Sequence, residues 1–338
     1  NDLLWENTKQ TNIGIEFGLY DDKLTGGVDY YRKQTEDILV MLDVPGYFGF
    51  GSFQRVRFNA ASVRNSGLEF NFSFKDQIGE VKYGINASGS TVHNEVTALG
   101  ANTPTDSVIF GGNLSNGARV TATRVGEPIG YFYGYEIEGV FQNESELEQY
   151  PHLSNQDVGD FIYRDQNDDG EITPDGDRTK IGSPIPDFTF GMGFNVSYKN
   201  LSLSMDFQGQ VGNEIYNAKN QTRFGIYNFE DRVLDRWTGE GTSDYEPELD
   251  GKAGNYEQSE YFVEDGSYLR LRSAVLSYTF PERWMKKAGF SSANIYVRGT
   301  NLFTLTEYSG YSPDLGGSPL SSGIDSGIYP ITSVYTMG

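Results

Sequence analysis

Along most of the chain, apolar and polar residues exchange at every position, while 3.6-residue helical spacing is scarce. Ile13, Ile15, Phe17 and Leu19 alternate with Gly14, Glu16 and Gly18. Leu68, Phe70, Phe72 and Phe74 alternate with Glu69, Asn71 and Ser73, and after a polar turn at Gly79-Glu80 come Val81, Tyr83, Ile85 and Ala87. The longest run carries Phe188, Phe190, Met192, Phe194, Val196 and Tyr198, turns at Lys199-Asn200 and resumes with Leu201, Leu203, Met205 and Phe207. The pattern predicts nine long strands, over 11–20, 24–38, 63–74, 81–92, 188–198, 201–211, 268–280, 293–303 and a stub from 334. Most are about twice the ~5–6 residues usual in globular proteins.

Alternation makes one face of each strand apolar without saying whether that face meets a core or lipid. The connections decide. They are short at 21–23, 75–80 and 199–200, moderate and basic at 281–292, and long at 41–61, roughly 94–186, 212–266 and 304–333. Short and long alternate, which gathers every long loop at one end, the layout of an outer-membrane barrel with tight periplasmic turns and large extracellular loops. The expected fold class is therefore all-β, a transmembrane antiparallel β-barrel. Gly130–Ile137 also reads as a strand, but counting it would invert every later loop. It is assigned to the extracellular side, paired with Arg119–Val125 in a raised hairpin. Nine strands are an odd remainder for a single-chain barrel, so residues 1–338 are expected to form the C-terminal part of a larger one. Asn1–Trp5 has neither a basic n-region nor an apolar h-region, and the expectation is a removed leader or a piece of a longer chain.

Composition narrows the classes further. The 338 residues carry 26 Lys+Arg against 47 Asp+Glu, a net charge of −21, and no Cys. Such a surface repels phosphate backbones and argues against nucleic acid as a partner; disulfides, thiolate metal sites and Cys nucleophiles are ruled out. Mean hydropathy is −0.50, and no apolar run reaches the ~20 residues of a spanning helix. Catalytic chemistry finds no foothold, because His93 and His152 stand apart and no nucleophile elbow, phosphate loop or zincin motif occurs. The chain is not expected to be an enzyme.

Several ordered segments carry a family resemblance: Leu4-Trp5-Glu6 with Asn12–Phe17, Asp29-Tyr30-Tyr31 with Thr35–Leu39, Asn65–Glu69, Gly126–Tyr135, Gly159–Tyr163, Gly182–Phe188, Asp235-Arg236-Trp237, Gly266–Arg272 and Asn301-Leu302-Phe303. In this order they resemble the C-terminal half of the barrel of SusC/RagA-type TonB-dependent outer-membrane transporters of Bacteroidetes. The resemblance implies a 22-stranded barrel with an N-terminal plug and a SusD-like surface lipoprotein as partner. It further implies a setting among outer-membrane lipid and lipopolysaccharide, and TonB-driven import of oligosaccharides or peptides. The plug, the TonB box and the N-terminal strands are not in this sequence, so contact with the TonB complex is inherited from the family. The alternative kept open is a soluble or surface-attached all-β glycan-binding module with a structural calcium.

Asp165-Gln166-Asn167-Asp168-Asp169-Gly170-Glu171-Ile172 matches the first half of an EF-hand-like loop, with oxygen side chains at positions 1, 3 and 5 and glycine at 6. Position 12 is Gly176, so no bidentate Glu is in register. The resemblance implies that Asp177-Arg178 closes the loop. The candidate ligands for Ca²⁺ or another hard cation are Asp165, Asn167 and Asp169 by side chain, Glu171 by its carbonyl, and Asp177; the other reading is a solvated acidic Asx turn. From Gln142 to Asp177 inclusive there are eleven acidic residues and one Arg, and they read as a solvated loop or as a recruiter of divalent cations. Loop aromatics Tyr47, Phe48, Phe50, Phe53, Tyr216, Phe224, Tyr227, Phe229, Tyr308 and Tyr311 could stack on sugar rings or fill loop cores. Phe229, Val233 and Trp237 are spaced for one apolar helix face. Arg270 and Arg272 share a face of one strand and are expected to point into the lumen.

Overall fold

In the computed structural model, residues 3–43, 55–100, 107–222, 229–249 and 253–338 are described. Walking from the N-terminus, β1 (Asn7–Leu19), β2 (Leu24–Asp43), β3 (Arg55–Ile78) and β4 (Val81–Thr91) form consecutive hairpins, and β5 (His93–Leu99) continues β4 along the upper part of β3. The chain then leaves the sheet for β6 (Ile109–Asn113), β7 (Arg119–Thr123), β8 (Tyr131–Tyr135), β9 (Ile137–Val140), helix α1 (Glu144–Gln149), β10 (Phe161–Tyr163) and β11 (Arg178–Gly182). It rejoins it with β12 (Phe188–Tyr198) and β13 (Leu201–Val211), departs again through β14 (Glu214–Tyr216), α2 (Ala218–Thr222) and β15 (Val263–Asp265), and returns as β16 (Tyr268–Thr279). Helix α3 (Glu282–Lys287) bridges to β17 (Asn294–Thr306), and β18 (Val334–Met337) closes the order.

The wall is one antiparallel sheet in the order β1-β2-β3-β4-β12-β13-β16-β17-β18. These are the nine expected strands, in place. Their register explains why the sequence alternates. Ile15 faces Val28, Val28 faces Phe70 and Phe70 faces Gly89. Further round, Phe194 lies between Ile85 and Met205, Leu203 faces Leu276, and Leu276 faces Val297. The apolar positions thus fall on a single belt running across all nine strands, and the other face carries Asp29, Glu69, Asn86, Asn195, Ser204 and Gln208. The belt is uncovered by protein: Ile15 is 73% and Leu305 61% exposed. Contiguous apolar surface of this extent needs an apolar medium against it.

Glycines in the belt have a specific use. Gly26 sits between Phe17 and Phe72, and a Cβ there would lie 2.7 Å from the Phe72 ring and 2.8 Å from that of Phe17. The rings lie across the bare backbone, so each glycine is covered by its cross-strand neighbours.

Two sequence-based boundaries shift. The span 41–61 is not one long loop, because β2 and β3 stay paired as far as Asp43 and Arg55; the hairpin rises beyond the belt after a kink where Asp37 adopts a positive φ of 58°. Arg270 and Arg272 do not act as a pair. Against β13 the ladder slips between Leu271 and Ser273, a β-bulge with Arg272 as the extra residue. Without that insertion Leu276 and Tyr278 would share Arg270's polar face; with it they join the belt. Arg270 is buried on the polar side, and Arg272 is exposed at the bulge.

Candidate functional site: the extracellular cap

The two departures from the wall, β6–β11 and β14–β15, together with the 307–333 connection, build a second body at one end of the sheet. Its centre is β8, whose five residues Tyr131–Tyr135 are all buried. It pairs with β7, as Thr121 opposite Phe132 and Ala122 opposite Tyr131, and on its other edge with β11, Arg178 opposite Tyr135. The hairpin expected for Gly130–Ile137 is therefore present, widened by β6 and β11 into a four-stranded sheet. Around it pack Val120, Phe132, Tyr216 and Phe262 in one cluster and Tyr135, Phe161, Tyr163 and Ile172 in another. Glycine at 134 is required by a close approach: a Cβ would lie 2.4 Å from the Gln258 carbonyl, which accepts the Tyr135 N–H at 2.8 Å.

Asp325 pins the loops together. Its Oδ1 accepts the N–H groups of Gly327 (2.7 Å) and Ile328 (3.1 Å), and its Oδ2 accepts the Tyr308 hydroxyl at 2.6 Å and lies 3.7 Å from Lys219 Nζ. Burial opposes its charge, but these hydrogen bonds and the Lys219 ammonium outweigh burial and hold the carboxyl below its ordinary range. Tyr216 completes the tie by accepting the Asp325 N–H on its carbonyl. Arg270 joins the same loop to the wall, donating to Thr304 Oγ1 (3.0 Å), Asp314 Oδ2 (2.9 Å) and Ser312 Oγ (3.4 Å).

The acidic loop folds on its own backbone. Asp165 Oδ2 accepts Gly170 N–H at 2.8 Å, Asn167 Oδ1 accepts Asp169 N–H at 3.1 Å, and Asp169 Oδ1 accepts Glu171 N–H at 2.9 Å. Asp168 and Gly170 take the positive φ values that such a tight arc needs. Asp177 is fully buried and serves a different purpose: its two oxygens accept Gln166 N–H (2.9 Å) and Thr173 N–H (2.6 Å), closing the loop from inside. Arg178 then pairs with Glu257 at 2.8 Å and lies over the Tyr135 ring. Among the described residues no three His, Cys, Asp or Glu side chains stand in an arrangement that would hold a metal.

Of the loop aromatics, Tyr47, Phe48, Phe50, Phe53, Phe224 and Tyr227 lie outside the described residues. Tyr216 and Tyr308 are core residues, each with its hydroxyl committed, Tyr216 to Gln221 and Tyr308 to Asp325. Burial pushes both hydroxyls up in pKa. Phe229 and Tyr311 remain open to a ligand. The helix read from Phe229, Val233 and Trp237 is only a 3₁₀ turn, Asp231–Asp235; Trp237 leaves it to pack beside the Phe161 cluster, its Nε1–H donating to Gln142.

Sequence reasoning did not single out a cleft of about 420 Å³ beside that turn. Arg232, Arg236, Glu246, Tyr256 and Tyr261 line it, with Phe229 at its border. The Arg232 guanidinium lies 4.6 Å from the centre of the Tyr261 ring, and the Tyr261 hydroxyl donates to Glu246. Burial pushes the Glu246 carboxyl up, against the pull of that hydrogen bond and of Arg232. Charges of both signs beside aromatic rings suit a polar, extended ligand with hydrogen-bonding groups along its length. Only a tertiary arrangement reveals this, since Arg232, Glu246 and Tyr261 are well apart in the sequence and none of them belongs to a motif.

A family model described as "TonB dependent receptor-like, beta-barrel" matches residues 1–302. The chain belongs to the TonB-dependent receptor β-barrel family. TonB-dependent receptor P3 of Formosa agariphila is 32% identical over 353 residues, an alignment covering 100% of this chain and 34% of that protein. TonB-dependent receptor SusC of Bacteroides thetaiotaomicron is 26% identical over 350 residues, covering 99% and 32%. A solved structure titled "Structure of the RagAB peptide transporter" superposes with a TM-score of 0.77 at 23% identity, covering 98% of this chain and 35% of that one. The chain thus spans about a third of the length of these relatives. Membership in the family explains the uncovered belt: the wall is part of an outer-membrane β-barrel, with its apolar face on lipid and its polar face on the lumen. No helix among the described residues is long and apolar enough to cross a membrane, and the strands do the crossing.

Proposed function

We propose that the chain is the C-terminal barrel portion of a TonB-dependent importer that brings a polar nutrient oligomer, an oligosaccharide or a peptide, across the outer membrane. The observation that carries this reading is the division of the chain into a lipid-facing wall and a folded cap that gathers its long connections at one end. A wall alone makes a pore, whereas a cap with a mixed-charge, aromatic cleft can select what enters. A SusD-like surface lipoprotein is the proposed partner at the cap, and energy from the TonB complex would arrive through the plug that the family resemblance implies. The soluble glycan-binding alternative is disfavoured by the belt, which would be uncovered in water. The test is uptake of labelled glycans and peptides by cells carrying the full-length gene or its deletion, with affinity purification of the tagged protein. Loss of uptake of one oligomer class together with recovery of a lipoprotein supports the proposal; unchanged uptake of both classes overturns it.

The 165–177 loop is further proposed as a weak hard-cation site, formed by Asp165, Asn167 and Asp169 with the Glu171 carbonyl. Its support is the EF-hand-like spacing of Asp165, Asn167 and Asp169 around the tight arc at Asp168–Gly170. With Asp177 committed to backbone N–H groups, two carboxylates remain, which puts the expected Ca²⁺ affinity near the weak extracellular range of about 10⁻³ M. Calorimetric titration of the full-length protein, wild type against Asp165→Asn with Asp169→Asn, tests it: no heat in either would remove the site.

A further inference from the structure

We propose that the periplasmic rim, centred on α3, is a binding site for anionic phospholipid headgroups of the inner leaflet. This rests on the barrel reading, which sets the short turns at the periplasmic end. The turn after β1 carries Lys23 against Asp21 and Asp22, and that between β3 and β4 carries Lys75 and Lys82 against Asp76 and Glu80. The third turn adds Lys199, and the fourth adds Arg283, Lys286 and Lys287 against a single Glu282. The rim therefore carries an excess of positive charge in a chain whose net charge is −21.

Ion pairs occupy much of this charge. Lys23 pairs with Asp76 at 2.7 Å, Lys199 with Glu80 at 3.2 Å, and Lys286 with Glu282. Among the described residues Lys75, Lys82, Arg283 and Lys287 have no carboxylate partner, and α3 holds two of these four within one short helix. Helix stability accounts for part of the pattern: Lys286 and Lys287 in the last turn and Glu282 in the first complement the helix dipole. It does not account for Arg283, which sits in the first turn, where a cation opposes the dipole. Beside it the Trp284 ring is half-exposed, with the Arg283 guanidinium 5.9 Å from its centre, and Phe290 is 63% exposed. Both flank the end of the apolar belt, where Tyr278 faces Ile295 and the Phe280 ring packs edge-on against Tyr278. Aromatic rings at the end of a lipid-facing surface with unmatched cations just beyond it match the depth and the charge of a phospholipid headgroup.

The test uses the full-length protein in nanodiscs of phosphatidylethanolamine with a minor fraction of phosphatidylglycerol. Lipid retained per protein is counted by native mass spectrometry. Wild type should retain phosphatidylglycerol in preference, and the triple variant R283Q/K286Q/K287Q should lose that preference by about ten-fold with ethanolamine lipid unchanged. A control triple at the opposite end, K9Q/R164Q/K180Q, removes as many exposed cations and should leave the preference intact. Trp284→Ala should lower retention of both lipids while leaving their ratio unchanged. Equal retention in the two triples, or no preference in wild type, overturns the inference. Failure of the barrel reading looks different, since wild type would then not fractionate with the outer membrane at all.

Discussion

The wall and the cap are written in the same residues and folded in opposite senses. In the wall, Ile15, Leu276 and Phe303 point away from the chain and lie uncovered. In the cap, Phe132, Phe161 and Tyr216 are inaccessible to solvent. The wall draws its order from the backbone ladder, with lipid taking the place of a core, because every N–H and C=O in a membrane must be paired within the protein. The cap stands in water and must bury its own aromatics, tie its loops with Asp325 and Asp177, and fit backbone to backbone at Gly134. Substitutions of the same chemical kind should therefore have different costs in the two regions.

The largest contrast should come from deleting aromatic rings. Phe132→Ala or Phe161→Ala should cost the cap about 3–5 kcal/mol, whereas Phe303→Ala, facing lipid, should cost well below that; urea unfolding of the reconstituted full-length protein reads both. If the wall residue costs as much, the lipid-facing assignment of that strand is wrong. Charge parity comes next. Leu203→Arg should destabilise by about 2–4 kcal/mol and Ser204→Arg, one residue on, by little, because only the first faces lipid; folding yields into liposomes would expose an inverted wall.

Gly134→Ala should cost about 1–3 kcal/mol by overpacking against the Gln258 carbonyl, seen as faster proteolysis of the cap with the wall intact. Tyr308→Phe should cost about 1 kcal/mol and carry a pH signature. The Asp325 carboxyl is held below its ordinary value of 3.8, so its charge stabilises the cap above that pH, and the gain is lost as pH falls through the lower folded value. Removing the Tyr308 hydroxyl raises that folded value, and acid opening of the cap should begin at higher pH. The smallest effect is expected at Glu246. Burial raises its carboxyl above the ordinary 4.5, so its charge disfavours the folded cap at neutral pH, and stability rises as pH falls from the folded value through 4.5. Glu246→Gln should leave stability at pH 7 equal or slightly higher and flatten that rise in a melting series.

The wall was legible in the sequence because its period is 2 and its alternation is not blurred by neighbours: Phe188–Tyr198 and Leu201–Val211 have the same limits in both readings. Where a residue is inserted, legibility stops. Nothing in Tyr268-Leu269-Arg270-Leu271-Arg272 announces the bulge; only the need for Leu276 and Tyr278 to meet lipid places it. In the cap, Gly130–Ile137 could be assigned to a raised hairpin by counting strands, yet its partner β11 lies more than forty residues on. The acidic loop was visible as a motif, but Asp177 could not be read as a buried lock, because the groups it binds are backbone N–H groups that every residue carries. Tyr216 and Tyr308 looked like Phe229 and Tyr311 for a similar reason: composition does not tell a ring in a loop core from a ring on its surface.

By itself the sequence determined the strand count of the wall, the belt and the end at which the long loops gather, which follow from local alternation and from the lengths of connections, and it pointed to the family by the resemblance of its ordered segments from Leu4-Trp5-Glu6 to Asn301-Leu302-Phe303. Tertiary structure alone decided which aromatics the cap consumes, that Asp325 joins the 212–267 and 307–333 connections, and that Arg232, Glu246 and Tyr261 meet around one cleft. The physical reason is range. A strand's face is fixed by its neighbour two residues away, while a cleft is fixed by segments brought together only after the wall has set their ends in place.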